Sequence, residues 1–298
     1  MNLDKLTGMI APMITPFDKN EELDLNIARK EIKYLLGTGI DGISAGGSTG
    51  EGALLSNEEI KKVIEIIVEE NTKKIPIVAG IIRNSTREAI KTALIAKNAG
   101  ADALLITPVF YFGATPEGNY EYYKLIAEKV RLPIIIYNVV PTNQITPEVM
   151  LKIRGIEEVV GIKQVGIEEL VAMVSACEDR IKIFSACDDM LYGTYVSGAC
   201  GAISAMVAAV PDLCVQQWEA FKKGDQKTAM ELQRKLYYVR KAYDFRPFPG
   251  MLKEIINQLG RPVGKSRSPI LEPNQEEKGF IRKKNIFAQK NKKRFFTR

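Results

Sequence analysis

The sequence predicts an α/β fold, a (β/α)8 TIM barrel with a C-terminal helical extension. Three observations predict it. Eight short runs rich in β-branched residues recur along the chain, and longer amphipathic stretches separate them. No glycine-rich dinucleotide turn follows the first run, as a doubly wound sheet would usually require. The 298 residues suffice for one large barrel but not for two.

The predicted strands are Gly8–Thr15, Gly42–Gly46, Ile75–Ile81, Ala103–Thr107, Leu132–Asn138, Val159–Gln164, Ile181–Ser185 and Gly201–Ala205. Strands covered by helices on a parallel sheet are near-continuously apolar, and these are. Between them, Asn57–Glu70 places Ile60, Val63, Ile64, Ile67 and Val68 on one helical face. Thr86–Asn98, Glu117–Val130 and Glu168–Ala176 show the same period. Ser56 and Thr146 are placed as N-caps, Thr146 with Pro147 in the first turn behind it. After the eighth strand come Pro211–Lys223, Gln226–Tyr243 and Gly250–Leu259. They complete the barrel and begin the extension. The predicted division is a barrel over 1–223, a packed helical extension over 224–272 and a flexible basic tail over 273–298.

The chain contains no histidine, which excludes His-based triads and metal sites. Its four cysteines (Cys177, Cys187, Cys200, Cys214) show no CxxC spacing and read as free thiols in a reducing compartment. Neither a metal nor another cofactor is expected. The N-terminus lacks the regions of a signal peptide, and no apolar run nears the roughly 20 residues that span a bilayer, so a cytoplasmic location is expected. Nine basic residues and no acidic one follow Glu277; removing them from the net charge of +6 leaves the body at −3. The basic balance therefore describes a tail and not a nucleic-acid face. The clusters Arg282-Lys283-Lys284 and Lys292-Lys293-Arg294, with Phe287, Phe295 and Phe296, are expected to be a solvated or disordered terminus, the alternative being contact with nucleic acid or an anionic membrane.

Lys163 is the residue that points to chemistry. It is a charge inside the apolar run Val159-Val160-Gly161-Ile162-Lys163-Gln164. Burying an unpaired ammonium favours the neutral amine, and a neutral amine forms an imine with a carbonyl. A solvent-facing strand-end lysine is the plain alternative. Barrel active sites lie at the C-terminal ends of the strands. There Lys163 is expected to meet Tyr137, a phenol able to relay protons, and the segment Gly47-Ser48-Thr49-Gly50. The exposed amides and two hydroxyls of that segment suit a carboxylate, although a tight turn alone also asks for glycine. Tyr111, just past the fourth strand, is placed either in a hydroxyl relay or at a subunit contact. Asp188 and Asp189 are placed either against a polyhydroxy or amino substrate or, as preferred, at the cap of the next helix.

Gly47-Ser48-Thr49-Gly50-Glu51, Thr107-Pro108, Tyr137-Asn138, Gly161-Ile162-Lys163 and Gly201-Ala202-Ile203-Ser204, in that order, resemble the family of dihydrodipicolinate synthase and N-acetylneuraminate lyase. These are class I, Schiff-base-forming pyruvate aldolases. The resemblance runs from Gly8 to about Leu271. It implies that Lys163 forms the imine with pyruvate or a similar 2-oxo acid, that Ser48 and Thr49 with the Gly47 segment hold the carboxylate, and that Tyr137 relays protons. Ile203 would lie against the bound pyruvate. Tyr111, or Phe110 one place before it, corresponds to a tyrosine lent by a neighbouring subunit; Tyr111 is preferred. A homo-oligomer, dimer or tetramer, is implied.

Some residues depart from the pattern. The synthases carry an arginine in the loop after strand five, for the carboxylate of the aldehyde partner. Here that loop, Val139-Val140-Pro141-Thr142-Asn143-Gln144, has none. Met190 stands where sialic acid lyases have the second acid of a pair, Cys187 where relatives have glycine, and Gln164 where many have an acid. The expected activity is therefore aldol cleavage or formation of a 2-keto-3-deoxy sugar acid, or a related dehydration. The alternatives are dihydrodipicolinate synthesis proper, from pyruvate and aspartate semialdehyde, and non-catalytic binding of a 2-oxo acid.

Overall fold

Eight parallel strands close into a barrel in the order β1 to β8, β8 pairing with β1. The computed structural model describes residues 3–244 and 248–289, without the side chains of Leu3 and of 285–289. The strands are β1 Gly8–Pro12, β2 Gly42–Ala45, β3 Ile77–Ile81, β4 Ala103–Ile106, β5 Ile134–Asn138, β6 Val159–Gln164, β7 Lys182–Ser185 and β8 Gly201–Ile203. Each matches a predicted run, shortened by one to three residues at one end except in β6. The apolar residues beyond, such as Met13 and Ile14, are buried in loops that leave the barrel.

The helices between the strands are α1 Leu25–Gly37, α2 Asn57–Glu70, α3 Thr86–Asn98, α4 Pro116–Val130, α5 Pro147–Ile153, α6 Leu170–Cys177 and α7 Leu191–Val196. After β8 follow α8 Ala205–Ala209, α9 Pro211–Lys222, α10 Gln226–Arg240, α11 Gly250–Gln258 and α12 Gln275–Gln289. Ser56 caps α2 in a reciprocal box with Glu59, and Thr146 caps α5 by accepting from the Val149 amide. The short helices α7 and α8 escape sequence reading because they consist of about one turn of mostly small or apolar residues, with no amphipathic period to detect.

The barrel lumen is filled by Ile10, Val78, Ala103, Leu105, Ile135, Phe184 and Ile203, with Leu6 in the same cluster. A larger apolar layer lies between the barrel and its helices. One irregularity sets the face on which Lys163 emerges. Ile134 pairs with Val159 but Ile135 with Gly161, so β6 carries one extra residue, Val160. Val160 belongs to the lumen cluster, Ile162 to the outer layer. Strict alternation from Val160 would send Lys163 outward; the bulge turns it into the lumen, beside Tyr137 and Phe184.

The expectation of a flexible tail from residue 273 is corrected over 275–289. Asn274 and Glu277 cap α12 reciprocally, and Ile281 is fully buried where this helix packs on α10 and α11. The cluster 292–294 with Phe295 and Phe296 lies outside the described residues. No helix of the described residues is long and apolar enough to cross a membrane.

Candidate active site

Lys163 is buried, 5% exposed, at the C-terminal end of β6. Register with β5 sets it beside Tyr137, and its Nζ lies 3.9 Å from the centroid of that ring. Among the described residues no carboxylate is within ion-pair distance of it. The Tyr137 hydroxyl donates to Ser48 Oγ at 3.1 Å. Lysine, phenol and hydroxyl, from β6, β5 and the loop after β2, are thus in successive contact. Thr49 and Ile203 join Lys163 and Tyr137 in the wall of a cavity of about 550 Å³. The structure brings together Lys163, Tyr137, Ser48, Thr49 and Ile203, with Gly47 adjoining.

The loop after β2 is held by close backbone contacts. A side chain at Gly52 or Gly80 would collide with the Gly46 backbone. Glu51 has φ of 56°, a conformation unusual for a residue with a side chain. Its buried carboxylate is tied at both oxygens: Oε1 lies 2.6 Å from Lys253 Nζ of α11, and Oε2 accepts from the Arg267 amide at 2.9 Å. Thr15 donates to the Gly50 carbonyl from the other side. The loop that carries Ser48 and Thr49 is therefore fixed from the C-terminal extension as well as from the barrel.

The loop after β5 is fixed by Asn138. Its side chain donates to the Ile145 carbonyl and to Gln164 Oε1, and accepts from the Ile145 amide, each at 2.9 Å. Gln164, at the position read as an unexplained departure, is the neutral acceptor of this clamp. Asn143 donates to the Val109 carbonyl, joining the loops after β5 and β4.

Asp188 corrects the sequence expectation. Helix α7 has Met190 at its N-cap and no side-chain cap. Asp188 instead faces the cavity and accepts hydrogen bonds from Ser204 and Tyr243. Burial raises its pKa, opposed by those two bonds and by the charges of Arg240 and Lys163. Sequence reading missed Arg240 and Tyr243 as cavity residues. They come from the end of α10 and the turn after it, some 80 residues beyond Lys163 and outside the strand-end rule that found the others. Cys187 also lines the cavity; its thiol donates to the Val165 carbonyl, and burial raises its pKa to about 11.

Tyr111 is not with Lys163 within this chain. It is 75% exposed, edge-on to the exposed Phe112, and Asn84 holds its loop by accepting from the Phe110 and Tyr111 amides. Among the described residues no group of three or more Cys, Asp or Glu side chains is arranged to hold a metal.

Comparison with known proteins agrees with this geometry. The chain is 33% identical over 282 residues to a 4-hydroxy-tetrahydrodipicolinate synthase of Bartonella bacilliformis, covering 93% of this chain and 96% of that one. A dihydrodipicolinate synthase of Acinetobacter baumannii, described as chloride-inhibited and complexed with pyruvate, superposes with a TM-score of 0.90 at 29% identity, covering 95% and 98% of the two chains. A monomeric dihydrodipicolinate synthase variant superposes with a TM-score of 0.91 at 27% identity, covering 96% and 98%. The model of the dihydrodipicolinate synthetase family matches residues 5–285. The chain is thus an enzyme, a class I lyase, and belongs to the dihydrodipicolinate synthetase family.

Proposed function

We propose that this enzyme condenses pyruvate with aspartate semialdehyde, as a 4-hydroxy-tetrahydrodipicolinate synthase. The observation that carries the reading is Lys163 Nζ, buried on the face of Tyr137 in the wall of the cavity. The names of the relatives support this acceptor over the 2-keto-3-deoxy sugar acid that the arginine-free loop after β5 suggested.

In the proposed cycle the Lys163 amine attacks the keto carbon of pyruvate. A proton delivered through Tyr137 and Ser48 lets the carbinolamine oxygen leave as water, which gives the iminium. Loss of a methyl proton gives the enamine, and its carbon bonds to the aldehyde carbon while the aldehyde oxygen takes up a proton. Water, or an amine carried on the acceptor, then displaces the lysine. Ser48, Thr49 and the amides of the Gly47 segment hold the pyruvate carboxylate, and Ile203 packs on the pyruvate carbons. Tyr111 from a second copy completes the relay in a homo-oligomer, which accounts for an exposed aromatic loop.

Borohydride reduction in the presence of pyruvate is expected to leave a pyruvyl adduct on Lys163, read by peptide mass spectrometry. Lys163→Ala is expected to keep the fold and lose adduct and turnover. A fully active Lys163→Ala protein sinks the mechanism. Turnover of 2-keto-3-deoxy sugar acids but not of aspartate semialdehyde reverses the choice of partner.

A further inference from the structure

The cavity lined by Lys163, about 550 Å³, is far larger than pyruvate needs, and part of its wall is built by the C-terminal extension: Arg240, Tyr243, Asp244 and Phe248. Among the described residues lining it, the only cations are Lys163 and Arg240. Imine formation commits Lys163 to pyruvate. The loop after β5, residues 139–146, contains no cationic side chain. Among the described residues of the wall, Arg240 is then the remaining cation for an anionic group on the second substrate.

Its setting suits that task. The guanidinium stacks on the Tyr243 ring, 4.7 Å from its centroid, and pairs through Nη1 with Asp244. Nε lies 3.9 Å from Asp188, beyond hydrogen-bond length. Arginine offers five donors in a planar fork, so the contact to Asp244 leaves donors for a further carboxylate. The side chain is 30% exposed, open enough for a ligand to reach. The same walls carry Glu168, Asp188, Asp189 and Asp244. That much negative charge disfavours a bare anion, but it favours a substrate whose carboxylate sits beside an ammonium.

Resting on the function proposed above, we infer that Arg240 binds the carboxylate of the second substrate, an aldehyde with an α-amino-acid head. Specificity for the acceptor thus comes from the helical extension and not from the barrel loop. The guanidinium donates to the carboxylate, the acidic wall receives the ammonium, and the aldehyde points inward to the enamine on Lys163.

The test is steady-state kinetics of Arg240→Gln and Arg240→Lys with pyruvate and aspartate semialdehyde, with borohydride trapping of each protein. Losing one charge-assisted contact predicts a rise of roughly 10- to 100-fold in the KM for the aldehyde. The pyruvate KM and the yield of Lys163 adduct are expected to stay at the wild-type level, and Arg240→Lys to recover part of the loss. An unchanged aldehyde KM overturns the assignment. So does an equal rise in both KM values, which would mean that Arg240 only props Tyr243 and Asp188. A wild type that traps pyruvate but does not turn over aspartate semialdehyde overturns it and leaves the imine chemistry standing. A wild type that forms no adduct removes both readings.

Discussion

Asp188 holds a carboxyl group in a largely buried place, its side chain 13% exposed, where two hydroxyls donate to it. Desolvation raises its pKa above the ordinary 3.8, and the two hydrogen bonds and nearby cations only partly offset this. Between its unfolded and folded values the native state holds the extra proton, so stability falls as pH rises through that window, and the full cost remains above it. Asp188→Asn removes this dependence. Melting temperatures from about pH 4 to about pH 8 are expected to decline less for the variant than for the wild type. Parallel curves would show that the charge costs nothing. Lys163 was legible in the sequence because a charge interrupts an apolar run. Asp188 was not, since an acid after a strand reads equally as a helix cap, and only the fold shows that Ser204 and Tyr243 claim it. Arg240 was illegible for a different reason: nothing in an exposed-looking amphipathic helix marks the one side chain that bends over the barrel mouth.

The loop after β2 depends on an element distant in sequence. Glu51, with its left-handed backbone, pairs with Lys253 of α11, both side chains inaccessible to solvent. Lys253 also donates to the carbonyls of Thr15 and Lys265. Burial pushes the Lys253 amine down, and the Glu51 charge opposes that shift. Removing one partner of a buried pair leaves a stranded charge and costs about 3–5 kcal/mol, whereas replacing both is far milder. Glu51→Gln is therefore expected to lower the melting temperature by roughly 10 °C. Adding Lys253→Met should restore most of it. A single variant as stable as the wild type would mean that the pair contributes little. The element boundaries were legible where cap chemistry is local, as at Ser56 and Thr146. The reason for glutamate at 51 was not, because its partner lies about 200 residues away.

At the scale of the molecule, the extension both closes the site and anchors the chain end. Its last helix was hidden in the sequence by its basic composition, although Asn274 and Glu277 form an N-terminal signature. Ile281 is fully buried against the extension. Ile281→Ala is expected to cost about 2–4 kcal/mol in denaturant unfolding, the usual range for emptying such a site. A change near zero would return this segment to the solvated terminus expected from composition. The barrel itself was readable because eight apolar runs with helical spacers leave few other closures. The register between neighbours was not, because apolar runs buried on both faces look alike in every alignment.

The extra residue in β6 gives that register a practical use. If Val160 were absorbed into regular pairing, the chain would still close an apolar barrel, yet the amine of Lys163 would point among the helices. A refolded sample with this slip would keep its far-ultraviolet spectrum and its compactness while remaining inert to pyruvate. The yield of trapped adduct per mole of protein thus counts correctly threaded molecules, and it can serve as an assay of refolding fidelity that spectroscopy alone does not supply.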